Sequence, residues 1–276
     1  MGKFFDITKD GKGVSKNEVK KRSFFRFFDS FFGNAWRFIG LNLVYTIMSL
    51  PILTNGIANV GMAYVARTVS RDKHSFGFSD FIESIKKNWK QGLIVGIINS
   101  VIYYLIFVGV FTYIQIPNMI VRTLTVSLTG TTFIIISIMN FYIPTMINTF
   151  NYSIGQLYKN AFRFTFIKFW KNFFCLLALV LTFAAAIGIA VLSGTLYIKI
   201  LILEIVIFAL FYPFFANLLV QFVTFPSLIK YVIEPYYLQH PDEDIELRRE
   251  LGIEIKSEDE DFDEFEEEED DSIFTD

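Results

Sequence analysis

Apolar positions along this chain fall into long unbroken runs, not into alternating stripes. Five runs are plain, at about 33–52, 90–116, 122–147, 172–195 and 197–222. They reach or approach the roughly 18–20 apolar residues that carry a helix across a hydrocarbon core of about 30 Å. A sixth stretch, GIANVGMAYVARTV at 56–69, is shorter and carries Asn59 and Arg67. Between it and the first run lies SLPILTNG, residues 49–56. Pro51 lacks an amide donor and Gly56 tolerates positive φ, so the chain can reverse there.

The distribution of Lys and Arg decides whether the sixth stretch counts, because these residues accumulate on the cytoplasmic side of a membrane. If residues 55–70 return across the bilayer, one side holds the bases up to Arg37, those from Arg67 to Lys90, from Lys159 to Lys171, and from Lys230 to Lys256. That is 23 of the 25 bases, with only Arg122 and Lys199 opposite. If the stretch does not return, the split is 11 against 14. The expected fold is therefore an all-α polytopic membrane protein with six transmembrane helices, about 33–52, 55–70, 90–116, 122–147, 172–195 and 197–222. They form three helical hairpins, 33–70, 90–147 and 172–222, and both termini are cytoplasmic. A shallow helical hairpin in place of the first two crossings gives the same charge count.

Each of the three tryptophans precedes a cation: Trp36–Arg37, Trp89–Lys90 and Trp170–Lys171. An asparagine lies within two residues of each (Asn34, Asn88, Asn172), and a phenylalanine eight residues before each (Phe28, Phe81, Phe162). In the middle approach, Phe78, Phe81, Ile85 and Trp89 recur at helical spacing while Lys86, Lys87 and Lys90 occupy other positions. This is the pattern of amphipathic helices lying at the cytoplasmic interface. Trp36, Arg37, Trp89, Lys90, Trp170 and Lys171 are thus expected as interfacial anchors. The last two return helices echo each other in FYIP, ending at Pro144, and FYP, ending at Pro213, and each proline should kink its helix. Internal duplication and shared membrane constraints both account for the threefold pattern.

Composition agrees with the runs: 53% of residues are hydrophobic, 19% charged, and 33 are Phe, against about 25% charge in soluble domains. Net charge hides a split. Residues 242–276 hold 19 of the 28 acids and 3 of the 25 bases. The expected organisation is a basic N-terminal segment 1–22, a transmembrane domain 23–235, and an acidic tail 236–276 too poor in apolar residues to fold alone. Phe262, Phe265 and Phe274 within the tail could dock it on a basic surface, and a short charged helix could start at Asp242. The first 22 residues show no apolar core of a cleavable signal. Asp6 stands where a myristoylation site needs Ser or Thr. The sequon at Asn151 falls on the cytoplasmic side of the expected topology, and Cys175 has no second cysteine to pair with.

Candidate chemistry is sparse. Glu204 lies eight residues into the last run, about 10–12 Å below the outer surface, where a charge must be paired, hydrated or neutralised. It could bind a cation, a proton or a solute, or hold the bundle together through Asn42, Asn59, Asn99 or Gln115. Asn42, Asn59, Asn99 and Asn140, with Asn148 and Asn217, could line a polar cavity or bridge helices. Gly56, Ala58, Gly61, Ala63 and Ala66 suit close helix packing. Arg67, Arg71 and Lys73 read as a topology signal or as a site for an anionic lipid or phosphate. No metalloprotease, Walker, Rossmann or nucleophile-elbow motif occurs, and the two histidines, His74 and His240, both fall in segments expected to be cytoplasmic. Neither catalysis nor a metal nor any other cofactor is expected.

The run LNLVYTIMSLPILTNG (41–56) resembles the hallmark segment of the bacterial YesL-like integral membrane family. FSDFIESIKKNWKQ resembles the same family's Phe- and Lys-rich approach to the next crossing. Asn55–Gly56–Ile57 departs from the apolar–Gly–Pro found in relatives. The resemblance implies a bacterial cell-membrane protein of unknown function. It also implies an accessory or regulatory role near carbohydrate ABC import, with permease subunits and the lipid bilayer as partners. The rival expectation is a small secondary transporter or channel using Glu204 and the asparagines.

Overall fold

The computed structural model describes residues 23–194, 198–240 and 243. These are helical, without a strand among them. In order they form α1 (Ser23–Asn34), α2 (Ile39–Ser49), a 3-10 turn (Ile52–Thr54), α3 (Asn55–Ser70), α4 (Phe78–Tyr113), α5 (Met119–Thr149), α6 (Ile154–Ile167), α7 (Phe169–Gly194) and α8 (Ile198–Leu228). A π turn (Ile229–Ile233) then leads into α9 (Glu234–Gln239). The segment 1–22 and the tail beyond His240, apart from residue 243, lie outside the described residues, as do the docking and helix expected there.

Among the described residues, four stretches are long and apolar enough to cross a membrane: α4, α5, Phe169–Ile189 of α7, and Ile202–Gln239 across α8 and α9. The chain is thus a multi-pass membrane protein by length and composition, with four candidate crossings and not six. α2 has 11 residues and α3 has 16, which gives rises of about 16 and 24 Å. Both fall short of the hydrocarbon thickness. The apolar run 33–52 breaks at residues 35–38 because its side chains have partners off the helix axis. Phe38 is buried with its ring 4.6 Å from that of Phe214. Arg37 donates to the Ser75 carbonyl and lies 3.0 Å from His74 Nε2.

Of the three expected interfacial helices, α1 and α6 are separate elements. α6 begins with a reciprocal cap in which Gln156 Oε1 accepts from the Ser153 amide at 2.9 Å and Ser153 Oγ accepts from the Gln156 amide at 3.4 Å. The middle approach is instead the first third of α4, which runs unbroken for 36 residues. No Gly or Pro interrupts 78–91, so nothing stops it joining the apolar run.

Small residues set how α2 and α3 sit against α4. A Cβ on Gly56 would overlap the Gly92 carbonyl and lie 2.6 Å from the Gly96 amide nitrogen, and one on Gly96 would lie 2.5 Å from the Leu53 carbonyl. The turn between α2 and α3 is therefore pressed against Gly96, 17 residues before the end of α4 at Tyr113. At 1.5 Å per residue the hairpin tip stops about 26 Å short of that end.

Two of the prolines inside the long helices, Pro144 of α5 and Pro213 of α8, each leave a helix carbonyl without its usual donor. Pro213 cannot bond the Ala209 carbonyl. Thr46 Oγ1 of α2 donates to that oxygen at 3.3 Å, and Asn42 Nδ2 donates to the neighbouring Leu210 carbonyl at 2.6 Å. Pro144 likewise releases the Asn140 carbonyl. Four residues after each proline an asparagine turns back, Asn148 to the Pro144 carbonyl and Asn217 to that of Pro213, both at 3.0 Å.

The buried core lies toward the basic end of the bundle, where Lys86, Lys87 and Lys90 sit. One cluster joins Ile138–Ile147 of α5 to Leu157, Ala161 and Phe164 of α6 and Leu228 of α8. A second joins Phe27, Phe38, Met62, Phe81 and Phe214. Toward the far end the helices expose large apolar side chains, among them Leu105, Phe111, Leu124, Leu128 and Ile205. That is the surface a hydrocarbon solvent requires.

Candidate functional site: a polar cavity within the bundle

Above the tip of the α2–α3 hairpin the helices line a half-open cavity of about 490 Å³. Its floor is the start of α3, with Asn55, Gly56 and Asn59. One wall is a single stripe of α4, in which Gly96, Asn99, Tyr103 and Phe107 follow at three- and four-residue steps with Ser100 beside them. Ser137, Asn140 and Pro144 of α5 form a second wall. Ala216, Asn217, Val220 and Gln221 of α8 close the third, with Leu179 of α7 and Tyr45 of α2 at the edges. No charged side chain is among these residues.

The polar groups are joined in two chains. Asn99 Nδ2 donates to Asn140 Oδ1 at 2.5 Å, and Asn99 Oδ1 accepts from Tyr158 OH at 2.9 Å. Asn140 Nδ2 donates to Tyr103 OH at 3.2 Å and to the Ile136 carbonyl at 2.9 Å. On the floor, Tyr45 OH donates to Asn59 Oδ1 at 2.8 Å, and Asn59 Nδ2 donates to Asn55 Oδ1 at 3.1 Å. Amide and phenol groups fixed this way keep lone pairs and some N–H groups free for a ligand. The volume falls in the range of small-molecule sites, which combine apolar walls with a few fixed polar groups.

Of the candidate residues, the structure brings Asn59, Asn99 and Asn140 together, with Asn217 beside them. It does not bring Asn42 or Glu204 there. Asn42 is buried, its side-chain amide bonded to the Leu210 carbonyl of α8 just before Pro213. Glu204 is not among the cavity residues, and its Oε2 is buried without a hydrogen-bond partner among the described residues. Asn148 links α5 to α3 and α4, donating to the Val60 carbonyl at 2.8 Å and accepting from Ser84 Oγ at 2.8 Å and Asn88 Nδ2 at 3.1 Å. Gln115, just past the end of α4, donates from Nε2 to the Phe111 carbonyl at 3.0 Å.

Trp36, Trp89 and Trp170 are exposed, as are Arg37, Lys90 and Lys171 beside them, and Lys90 Nζ lies 5.7 Å from the Trp89 ring centroid. Asn172 is buried, accepting from Tyr142 OH at 2.8 Å and donating to the Phe164 carbonyl at 3.0 Å, so it ties α7 to α5 and α6. His74 and His240 are both exposed. Cys175 is buried, and no cluster of three His, Cys, Asp or Glu side chains suited to a metal occurs among the described residues.

Sequence reasoning missed Tyr45, Ser100, Tyr103, Ser137 and Gln221 as cavity residues, and Gly92 and Gly96 as the surface that receives α3. The signal was present in α4, where Gly92, Gly96, Asn99 or Ser100, and Tyr103 share one face.

Residues 38–110 match the model of a family described as a protein of unknown function, DUF624. The matched stretch holds α2, α3 and most of α4, and so the floor and first wall of the cavity. No curated protein and no solved structure matches the chain.

Proposed function

We propose that this chain is a non-catalytic, solute-binding protein of the bacterial cell membrane, with both termini cytoplasmic and the α2–α3 hairpin re-entering from the cytoplasmic side. The observation that carries the binding reading is the uncharged cavity of about 490 Å³ into which Asn59, Asn99, Asn140 and Tyr103 converge. Polar backbone and side chains at membrane depth are tolerated where they line a hydrated cavity. Helices that begin at such a depth are a recurrent way of building midplane sites. Re-entry is supported by the hairpin tip lying level with Gly96, and the count of 23 bases on one side is the same for a re-entrant hairpin as for two crossings.

Solute binding suits an accessory or regulatory subunit. The YesL-like resemblance connects that role to carbohydrate ABC import and its permease subunits. A transporter driven through Glu204 has less support, because the carboxylate lies apart from the cavity.

Thiol accessibility in intact cells tests the reading. Ser100→Cys and Ser137→Cys should react with a membrane-impermeant methanethiosulfonate from outside, while lipid-facing Val101→Cys should not. A Ser100→Cys protein as silent as Val101→Cys removes the hydrated site. Leu50→Cys, at the hairpin tip, should resist the reagent, whereas outside labelling there would restore six crossings.

A further inference from the structure

Acidic and basic residues are segregated in this chain. Twelve of the 14 residues 258–271 are Asp or Glu and none is basic; that run lies outside the described residues, but its root does not. Tyr237 of α9 is buried with Ile233 against Phe150, and Phe150 stacks on Tyr152 with ring centroids 5.0 Å apart. The Tyr152 carbonyl accepts from Gln91 Nε2 of α4 at 3.0 Å, just before the chain enters α6. α9 therefore sits beside the junction of α4 and the start of α6. Past α9 the chain turns. The Glu243 amide donates to the His240 carbonyl at 3.2 Å, and Tyr236 OH donates to Glu243 Oε2 at 2.5 Å, so residue 243 is folded back onto α9. These elements carry Lys86, Lys87 and Lys90 of α4, Lys159 and Arg163 of α6, and Lys230 of the π turn, all exposed. Their acids are fewer. Asp80 accepts from the Ser75 hydroxyl and the Phe76 amide. Glu83 and Glu234 pair with no cation, and none of the six cations has a carboxylate within ion-pair distance, among the described residues.

We propose that the acidic run 258–271 docks on this basic face of its own chain, across the start of α4 and α6. Fifteen residues lead from Glu243 to Glu258. A segment of that length covers about 20 Å, whether as a coil or as a helix. Packed helices lie about 8–10 Å apart, so the run reaches both α4 and α6. A lone exposed ion pair contributes little, but here 12 carboxylates meet six cations as a network. The tether supplies an effective concentration in the millimolar range, so individually weak pairs suffice. Docked, the tail covers cations that anionic headgroups would otherwise attract, and screening by salt releases it. The contact is separate from the solute cavity and is the same whichever side of the membrane this face occupies.

Chymotrypsin cleavage after Phe262 and Phe265 tests this on the full chain in phosphatidylcholine vesicles. At about 0.01 M salt, where screening is weak, the wild-type tail should be cut roughly tenfold more slowly than that of a variant combining Lys86→Gln, Lys87→Gln, Lys159→Gln and Arg163→Gln, the combined scale of several exposed pairs. At about 1 M salt the two should be cut alike. Arg122→Gln, at the other end of the bundle, should behave as the wild type. If the quadruple variant does not fold, Lys159→Gln with Arg163→Gln on α6 carries the comparison, at roughly threefold. Carbodiimide coupling in a mixture of isotope-labelled and unlabelled chains should join the acidic run to Lys86, Lys87 or Lys159 of the same chain. Coupling only between chains overturns the proposal and makes a second copy the occupant. Equal cleavage of wild type and variants at low salt overturns it, as does a difference that persists at high salt or is shared by Arg122→Gln. Equal cleavage with phosphatidylglycerol retained more by the wild type than by the variant overturns it too, and assigns the face to lipid.

Discussion

Replacing Gly56 with alanine tests the contact on which the position of the α2–α3 hairpin depends. The added Cβ would overlap the Gly92 carbonyl, 2.6 Å from the Gly96 nitrogen and 2.7 Å from its Cα. These are backbone atoms, so no rotamer change relieves the clash. Ordinary contact needs about 3.5–4.0 Å, so α3 must withdraw from α4 by roughly 1 Å. Overpacking of this kind costs about 1–3 kcal/mol. Gly130→Ala in α5 is the control, because nothing lies within 4 Å of its Cβ and a helix interior gains about 0.5–1 kcal/mol from Gly to Ala. Gly96→Ala should resemble Gly56→Ala, since it meets the Leu53 carbonyl at 2.5 Å. Gly92→Ala should be milder, its nearest atom being Ile57 Cα at 3.1 Å. Reversible unfolding in mixed detergent micelles measures the series. Gly56→Ala and Gly130→Ala shifting stability by the same amount and sign would refute the close approach of the two helices, and with it the depth assigned to the hairpin tip.

Asn42→Ala should destabilise by about 1 kcal/mol, the scale of a buried membrane hydrogen bond, because it removes the 2.6 Å bond from α2 to the Leu210 carbonyl; an unchanged midpoint would show that the Pro213 segment of α8 needs no support from α2. Tyr142→Phe should lose a similar amount, since Asn172 Oδ1 then lacks its 2.8 Å partner, and thermal melting reads this directly. Trp89→Ala should lower membrane insertion or thermal stability while leaving thiol labelling of Ser100→Cys unchanged. A stable, fully inserted Trp89→Ala protein with a closed cavity would assign Trp89 to the site instead of the interface. Cys175 is buried and should resist maleimide in the folded protein and react after SDS, which fixes the background for every engineered cysteine.

The long apolar runs made α4, α5, α7 and α8 legible, because length and hydropathy alone decide whether a helix can span. Pro144 and Pro213 were legible as prolines inside long helices, and the three tryptophans as exposed residues. The first two elements were not. Residues 33–52 have the composition of a crossing, yet burial of Phe38 against Phe214 and the contact of Arg37 with the 74–75 turn break the run, and both partners are distant in sequence. The cavity was half legible. Intramembrane asparagines flagged Asn59, Asn99 and Asn140, but Asn42 is of the same type and bonds the Leu210 carbonyl beside Pro213. Only the packing of α2 on α8 separates the two uses. Glu204 drew attention by its charge, and charge carries no information about which way α8 faces its neighbours.

The seat of the α2–α3 hairpin has a consequence for how the protein is made. Its tip rests on Gly92 and Gly96, which leave the ribosome some forty residues after the turn itself. When α2 and α3 emerge, neither is long enough to hold a crossing, and the glycine face that receives them does not yet exist. Synthesis proceeds at about 5–20 residues per second, so on the re-entrant reading proposed above the hairpin waits for seconds at the membrane surface with Asn55 and Asn59 in water. On that reading it enters the bilayer only after α4 has been placed. The part of the chain translated first among the helices of the bundle is thus among the last to reach its final depth, and the cavity floor closes a compartment whose walls are already standing.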